Sequence, residues 1–190
     1  MLKTPLALFC FAALAVGAQA QGTNHPPMNH GGMDHSAHMA GKPDAGRQGD
    51  VARRGVDVMP FSLAATVHVF TKAADGGVQK VVARKSTDTA QAQLVRQHLT
   101  EIRQQFLKGD FSGPAHIHGH DMPGLAALQA ARPGQIAITY REVAGGAQLS
   151  YATSEPGLVK ALHAWFDAQL SDHGRDAMAG HAGHGRPKDK

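Results

Sequence analysis

The chain has 190 residues, a formal net charge of +4 at pH 7, 13 histidines, seven methionines and one cysteine. This length suits a single domain, and so small a charge excess gives no reason to predict nucleic-acid binding. The cysteine, Cys10, lies in an apolar run near the start, so the rest of the sequence offers neither a disulfide nor a thiolate. A metal ion would have to be held by histidine, methionine and carboxylate side chains.

The first twenty residues have the pattern of a secretory signal peptide. Lys3 precedes an apolar run from Leu6 to Val16, and residues 18–20 supply the small side chains of a cleavage site. The apolar run is too short to span a bilayer. We therefore expect residues 1–20 to be a signal peptide, and the mature protein to be periplasmic or secreted, without a membrane span.

Histidine and methionine are concentrated in two segments of low hydrophobicity. Residues 21–50 contain no Val, Ile, Leu, Phe, Tyr or Trp, so burial cannot offset the entropy of ordering and the segment is predicted to be disordered. The C-terminal tail, residues 175–190, is predicted to be disordered as well. Such tracts are typical of metal binding, although a solubilising linker with incidental histidines is the alternative. The predicted ligands are His25, Met28, His30, Met33, His35, His38, Met39, Met178, His181 and His184.

The folded domain is predicted to span residues 51–174. Residues 61–71 alternate between two faces and predict a strand, residues 74–77 predict a hairpin turn, and residues 78–85 predict the returning strand. A helix capped by residues 87–89 follows, because apolar side chains recur there at helical spacing. These side chains are Val95, Leu99, Ile102 and Phe106.

The same order of elements returns in the second half. A short helix over residues 125–131 is followed by strands at 135–143 and 147–153, and Pro156 lies near the start of a second long helix. The predicted fold is α+β. Two ββα repeats form a four-stranded antiparallel or mixed sheet with helices on one face, flanked by the disordered tails.

Between the two halves, residues 116–122 place a potential metal ligand at every second position. In an extended backbone alternate side chains point the same way, so these residues would form a row of ligands on one side. Turn-forming residues at 112–114 and 123–124 favour an ordered loop, and a solvated histidine-rich loop without a specific ligand is the alternative. The row consists of His116, His118, His120 and Met122.

A second ligand-rich segment begins at His173, after the second long helix. If the two halves are related by pseudo-symmetry, the segments that follow their helices meet at one edge of the domain. Under that arrangement His116, His118 and His173 form a three-ligand site.

The other histidines of the folded region are less directly linked to a metal. His98 and His163 lie beside the apolar stripes of the two helices and are predicted to be partly buried and hydrogen-bonded. His68, on the first strand, fits either role. Met59 is predicted to pack in the core.

Three segments of the folded region carry a resemblance to known proteins: Asp110-Phe-Ser-Gly-Pro-Ala-His-Ile-His-Gly119, Asp121-Met-Pro-Gly124 and Leu170-Ser-Asp-His-Gly-Arg-Asp-Ala-Met178. They resemble a family of exported bacterial proteins of uncharacterised function, whose members often carry the label aspartate carbamoyltransferase. The resemblance covers most of the folded region. That activity is not implied here, because the enzyme family of that name has a longer two-domain chain and a Ser-Thr-Arg-Thr-Arg phosphate loop. The tails are similar to Met/His-rich segments of periplasmic copper-resistance proteins.

Ligand chemistry favours copper, with zinc second and nickel third. Imidazole suits all three metals, thioether suits Cu(I), and hard cations would need more carboxylates than these segments contain. The sequence therefore predicts a periplasmic metal-binding protein that sequesters, buffers or delivers copper, with another copper-handling protein as a candidate partner.

Catalysis is the second interpretation. A small zinc- or copper-dependent enzyme would use His116 and His118 as ligands, with a water molecule in the open position. No nucleophile elbow or Walker loop is present, and the zinc-hydrolase order of ligands is not matched, so binding is favoured over catalysis. A structural or partner-binding domain with solubilising tails is the third interpretation.

Overall fold

The computed structural model describes residues 44–181, which begin with helix α1, Ala45–Gly55. The Asp44 side chain caps this helix by accepting hydrogen bonds from the backbone N–H groups of Gly46 and Arg47. Val51 is its buried anchor, with 1% of its surface exposed. A short 3-10 turn, Leu63–Ala65, then leads into the sheet.

Five strands form one mixed sheet in the order β3-β4-β2-β1-β5. Neighbouring strands are antiparallel except for β1 and β5, which are parallel. The α+β class is therefore confirmed, but the sheet has one strand more than predicted. The strands are β1 Thr66–Ala73, β2 Gly76–Ala83, β3 Ala137–Val143, β4 Gly146–Ala152 and β5 Ala177–Ala179.

The two hairpins, β1-β2 and β3-β4, join through β2 and β4. Gly76 pairs with Ala152, and Val82 pairs with Gly146, so the start of each strand lies opposite the far end of the other. A two-fold relation between the halves would produce this reciprocal register. Both glycines are required by close packing, because a Cβ atom would lie 2.2 Å from the Tyr151 carbonyl oxygen at Gly76, and 2.1 Å from the Val81 carbonyl oxygen at Gly146.

The long helices α2 and α5 pack on the sheet, and the shorter α3 and α4 lie between them in sequence. Asp88 caps α2 by accepting from the Gln91 N–H, within the predicted cap region. The core joins α5 to the sheet through Trp165, whose ring meets Tyr151 edge to face at 5.9 Å. No helix within residues 44–181 combines the length and apolar character needed to cross a membrane. The helices are α2 Thr89–Phe106, α3 Ser112–His118, α4 Leu125–Gln129 and α5 Pro156–His173.

The predicted extended row of ligands at residues 116–122 is wrong, because its first three residues complete α3. Pro114 is tolerated since it lies in the first turn, where the backbone N–H has no helical partner. Gly119, at φ +92°, ends the helix. Residues two apart in a helix point to nearly opposite sides, so His116 and His118 diverge.

The folded region also extends beyond the predicted bounds of 51 and 174. Residues 45–50 form the first half of α1, and β5 pairs with β1 after residue 174. Helix α1 contains few apolar residues, so its sequence gives little indication of a helix. The position of α1 in the fold depends on tertiary contacts such as the ion pair between Arg47 and Asp172.

Two deletions should locate the true N-terminal boundary. Removing residues 21–43 should leave the thermal unfolding of the metal-free protein nearly unchanged, because the segment has no Val, Ile, Leu, Phe, Tyr or Trp side chain. Removing 21–55 should lower the melting temperature by several degrees, since the buried Val51 is lost and 1 kcal/mol corresponds to about 4 °C for a domain of this size. Equal melting temperatures for the two deletions would show that α1 contributes nothing to stability.

Candidate metal-binding site

Four buried histidines line one cavity of about 40 Å³ between the sheet and the helices. This volume is enough for a few water molecules. The ring of each histidine comes from a different element: β1, α2, the end of α3 and the end of α5. Their exposed fractions are 2% for His68, 7% for His98, 2% for His118 and 8% for His173.

Three of the rings are in direct contact and are called here the buried histidine cluster: His68, His118 and His173. The rings of His68 and His173 are parallel, with centroids 4.8 Å apart. The ring of His118 meets that of His173 edge to face at 5.1 Å. His98 lies to one side, with its ring edge to face against Phe61 at 5.5 Å.

His118 is oriented by a buried carboxylate. Its Nδ1 lies 2.8 Å from Asp172 Oδ2. Arg47 holds the same carboxylate from the other side, with Nε 2.5 Å from Oδ1 and Nη2 2.8 Å from Oδ2. The same Nη2 donates to the backbone carbonyl of His118 at 3.0 Å. These contacts form the Arg47–Asp172–His118 chain, which ties α1, α3 and α5 together.

The carboxylate fixes the tautomer of His118. Burial alone would raise the pKa of Asp172, but the hydrogen bonds from His118 and Arg47 outweigh it and lower this pKa to about 2. The carboxylate is therefore ionised and can only accept, so Nδ1 of His118 carries the proton and donates it. In the neutral ring the lone pair is then on Nε2, which is the atom free to bind a ligand.

The other two rings of the cluster also have one nitrogen free. His173 donates from Nε2 to the Gln169 side-chain oxygen at 3.1 Å, which leaves its Nδ1 with the lone pair in the neutral form. His68 Nδ1 has no hydrogen-bond partner. Among the side chains that the structure describes, the only other buried nitrogen or oxygen atom in this state is Trp165 Nε1, and both residues line the cavity.

Burial keeps three of the cavity histidines, His68, His98 and His173, neutral. It lowers the pKa of His68 to about 4, with a smaller contribution from the nearby His98. Burial also lowers the pKa of His98 to about 4 and that of His173 well below the usual value. The neutral imidazole is the form that binds metal ions.

The other predicted ligands within residues 44–181 do not line this cavity. His116 is exposed, and its Nε2 lies 3.1 Å from Asp57 Oδ2. Met122 is buried in the core, 2% exposed, but does not line the cavity. The exposed predicted ligands are His116, His120, Met178 and His181. The ligands that lie outside the described residues are His25, Met28, His30, Met33, His35, His38, Met39 and His184.

The structure also assigns the histidines whose roles the sequence left open. His163 donates from Nε2 to the carbonyl oxygens of Ala73 and Gly76, at 3.0 and 2.9 Å, which fits the predicted hydrogen-bonded role. His68 joins the cluster, a position that the sequence did not assign. Its alternation with Thr66 and Phe70 was the available signal, because all three lie on the buried face of β1.

The cluster is not a ready-made metal centre. In residues 44–181, no three or more His, Cys, Asp or Glu side chains stand together so that they could hold a metal ion. Lone pairs lie in the plane of an imidazole ring, and the parallel rings of His68 and His173 lie in separate planes. One of these rings must rotate before both can bind the same ion.

Comparison of the chain with protein-family models, with curated proteins and with solved structures finds no match. The chemistry of the site therefore has to be argued from its own residues.

Replacing Asp172 should be costly. Asp172→Asn removes the charge that pairs with Arg47 and leaves an N–H group of Arg47 or His118 without an acceptor. The free energy of unfolding should therefore fall by about 3 kcal/mol. Asp167→Asn is the matched control on the same helix, because Asp167 pairs with Lys72 at the surface and should cost at most about 1 kcal/mol. Urea denaturation measures both, and equal losses would contradict a structural role for the buried carboxylate.

The metal-free protein should lose stability in acid over a defined range. Below pH 6.5 the unfolded chain protonates its histidines, whereas His68 and His98 stay neutral in the folded protein down to about pH 4. The free energy of unfolding should therefore fall as the pH drops from 6.5 to about 4, by up to roughly 3 kcal/mol for each ring.

Urea denaturation at a series of pH values checks this expectation. His68→Phe keeps an aromatic ring beside His173 and should make the pH dependence shallower. His120→Ala, at an exposed position, should leave it unchanged. If His68→Phe has the same pH dependence as the original protein, the His68 ring takes up its proton in the folded state and the expectation is wrong.

Proposed function

We propose that this is an exported copper-binding protein that sequesters, buffers or delivers the ion, with one defined site in the folded domain. The observation that carries the proposal is the meeting of His118 and His173 in one buried cavity, with the His118 ring oriented by Asp172. The terminal segments, rich in histidine and methionine, would recruit further ions.

The Arg47–Asp172–His118 chain supports this proposal. A histidine that binds a metal commonly donates its other ring N–H to a carboxylate, which fixes the ring and makes the ligating nitrogen more basic. The cost of burying a carboxylate is offset here by two partners, since Asp172 accepts from both Arg47 and His118. Packing of the core alone does not require the buried ionic contacts between Arg47, Asp172 and His118.

The choice of copper follows from the available ligands. The described cavity offers neutral imidazoles, and the terminal segments add thioethers, which suit Cu(I) in particular. Zinc and nickel remain the second and third candidates. A periplasmic or secreted location is proposed from the signal-peptide pattern of residues 1–20.

A metal-dependent enzyme is the second candidate, because a histidine held by a carboxylate is also the arrangement of an oriented general base. The pair His116 and His118 fits this candidate poorly, since the two side chains leave α3 on different sides. Turnover of a model ester by the metal-loaded protein would favour the enzyme, and stoichiometric binding without turnover would favour sequestration or delivery.

Two double variants should separate a defined site from diffuse binding. His118→Gln with His173→Gln should weaken the tightest copper-binding step by at least roughly tenfold, because the cavity has few other ligands to replace them. His116→Gln with His120→Gln removes the same number of imidazoles from exposed positions. This control should leave the affinity of the tightest copper-binding step within about twofold of that of the original protein.

Competitive titration of the full chain against a chelator of known affinity, at fixed pH, measures this step. Copper should also raise the melting temperature of the original protein and the control by mass action, and this rise should be lost in the cavity variant. Gln at position 118 retains an N–H donor for Asp172, which limits the loss of folding. If both double variants lose affinity equally, the binding is diffuse and the folded domain holds no defined site.

A further inference from the structure

We infer that His68 and Met59 complete the ligand set of this cavity, so that it is a mixed imidazole–thioether site selective for Cu(I). This inference rests on the proposed function and adds to it the third imidazole, the sulfur ligand and the oxidation state. Neither residue belongs to the ligand row that the sequence predicted, and both line the same cavity as His118 and His173.

His68 lines the cavity and has a ring nitrogen without a hydrogen-bond partner. It is 98% buried, its Nδ1 has no hydrogen-bond partner, and its ring lies against that of His173. Its backbone is fixed in the sheet, since it pairs with Val81 on one side and Ala177 on the other. An unsatisfied buried nitrogen costs free energy, and a bound ion would remove that cost.

Met59 adds a thioether side chain to the lining of a cavity that is otherwise lined by imidazole, amide and apolar groups. It is 7% exposed, and its backbone N–H donates to the Gly55 carbonyl oxygen at 2.8 Å. Its methyl group is seated over Gly55, where a Cβ atom would lie only 2.6 Å from it. Thioether binds Cu(I) well and zinc poorly, so a methionine at this position would favour the cuprous ion.

His173 lines both the cavity and a neighbouring groove at the surface. A groove of about 270 Å³ lies on the outer side of His173 and Asp172, between α1 and the end of α5. Both residues border this groove, and His173 also lines the inner cavity. The Gln169 contact is the single side-chain hydrogen bond recorded for the His173 ring within the described chain. Rotation of this ring would remove its parallel stacking on His68 and admit an ion from the groove.

Two methionine variants test the sulfur ligand in the full chain. Met59→Leu keeps nearly the same volume, and Met122→Leu makes the same change at a buried methionine that does not line the cavity. Met59→Leu should lower the affinity of the tightest Cu(I)-binding step by at least roughly tenfold. It should change the affinity of the tightest Zn²⁺-binding step by less than about twofold. Met122→Leu should change neither. Competition with a Cu(I) chelator under reducing conditions, and with a Zn²⁺ chelator, gives the two affinities.

His68→Phe tests the third imidazole, since it keeps an aromatic ring against His173 but removes the free nitrogen. It should weaken the tightest steps for both metals. X-ray absorption at substoichiometric Cu(I) adds a readout that stability alone would not change. The original protein and Met122→Leu should show copper–sulfur scattering, and Met59→Leu should lack it.

The outcomes separate this inference from the proposed function. If Met59→Leu and His68→Phe both bind like the original protein while the double variant at His118 and His173 loses copper, the ligand set is wrong and the proposed function stands. If that double variant also keeps its copper, the proposed function fails. Near-ultraviolet circular dichroism of each metal-free variant checks that the core is folded before the affinities are compared.

Discussion

The candidate site depends on one buried ionic contact, the Arg47–Asp172–His118 chain. Arg47 comes from the first helix, Asp172 from the last, and His118 from the middle of the sequence. The carboxylate is buried to 3% exposure and would be unfavourable without both partners. Its ionised state fixes the tautomer of His118, and the guanidinium also contacts the His118 backbone. The orientation of the His118 ring and the connection between α1, α3 and α5 both follow from this contact.

The regular elements of the sheet and the long helices were predictable from local periodicity. The stripe that ends at Phe106 matches α2, and the glycine turns match both hairpins. Three elements, α1, α3 and β5, were missed for physical reasons. Strand β5 is only three residues long and forms through its parallel pairing with β1. Helix α1 has a weak apolar pattern and is held by long-range contacts. The segment at 112–118 has a period-two pattern of histidines, but Ala115 and Ile117 are buried as part of a short helix that packs against the core.

The candidate site was predictable only in part. Pseudo-symmetry of the two halves predicted that the segments after the two long helices meet, and His118 and His173 are in contact. The sequence paired them with His116, whose side chain points to solvent. It left His68 undecided and assigned Met59 to the core, because the burial of single polar or sulfur-containing side chains depends on tertiary packing rather than on local pattern. The alternation that places His68 on the same face of β1 as Phe70 was the one usable signal.

The distribution of the site along the chain has a consequence for its assembly. Arg47 and Asp172 are separated by 125 residues, and β1 is completed at one edge by β5, the last strand described. Proteins whose contacts join residues far apart in the sequence fold slowly, because the long loop between those residues must be closed before the contact can form. A chain that emerges from its N-terminus, whether from a ribosome or from an export channel, therefore has no cluster until its last helix has emerged. The cluster is absent from every incomplete chain, so the proposed site could take up an ion only after the whole domain has emerged.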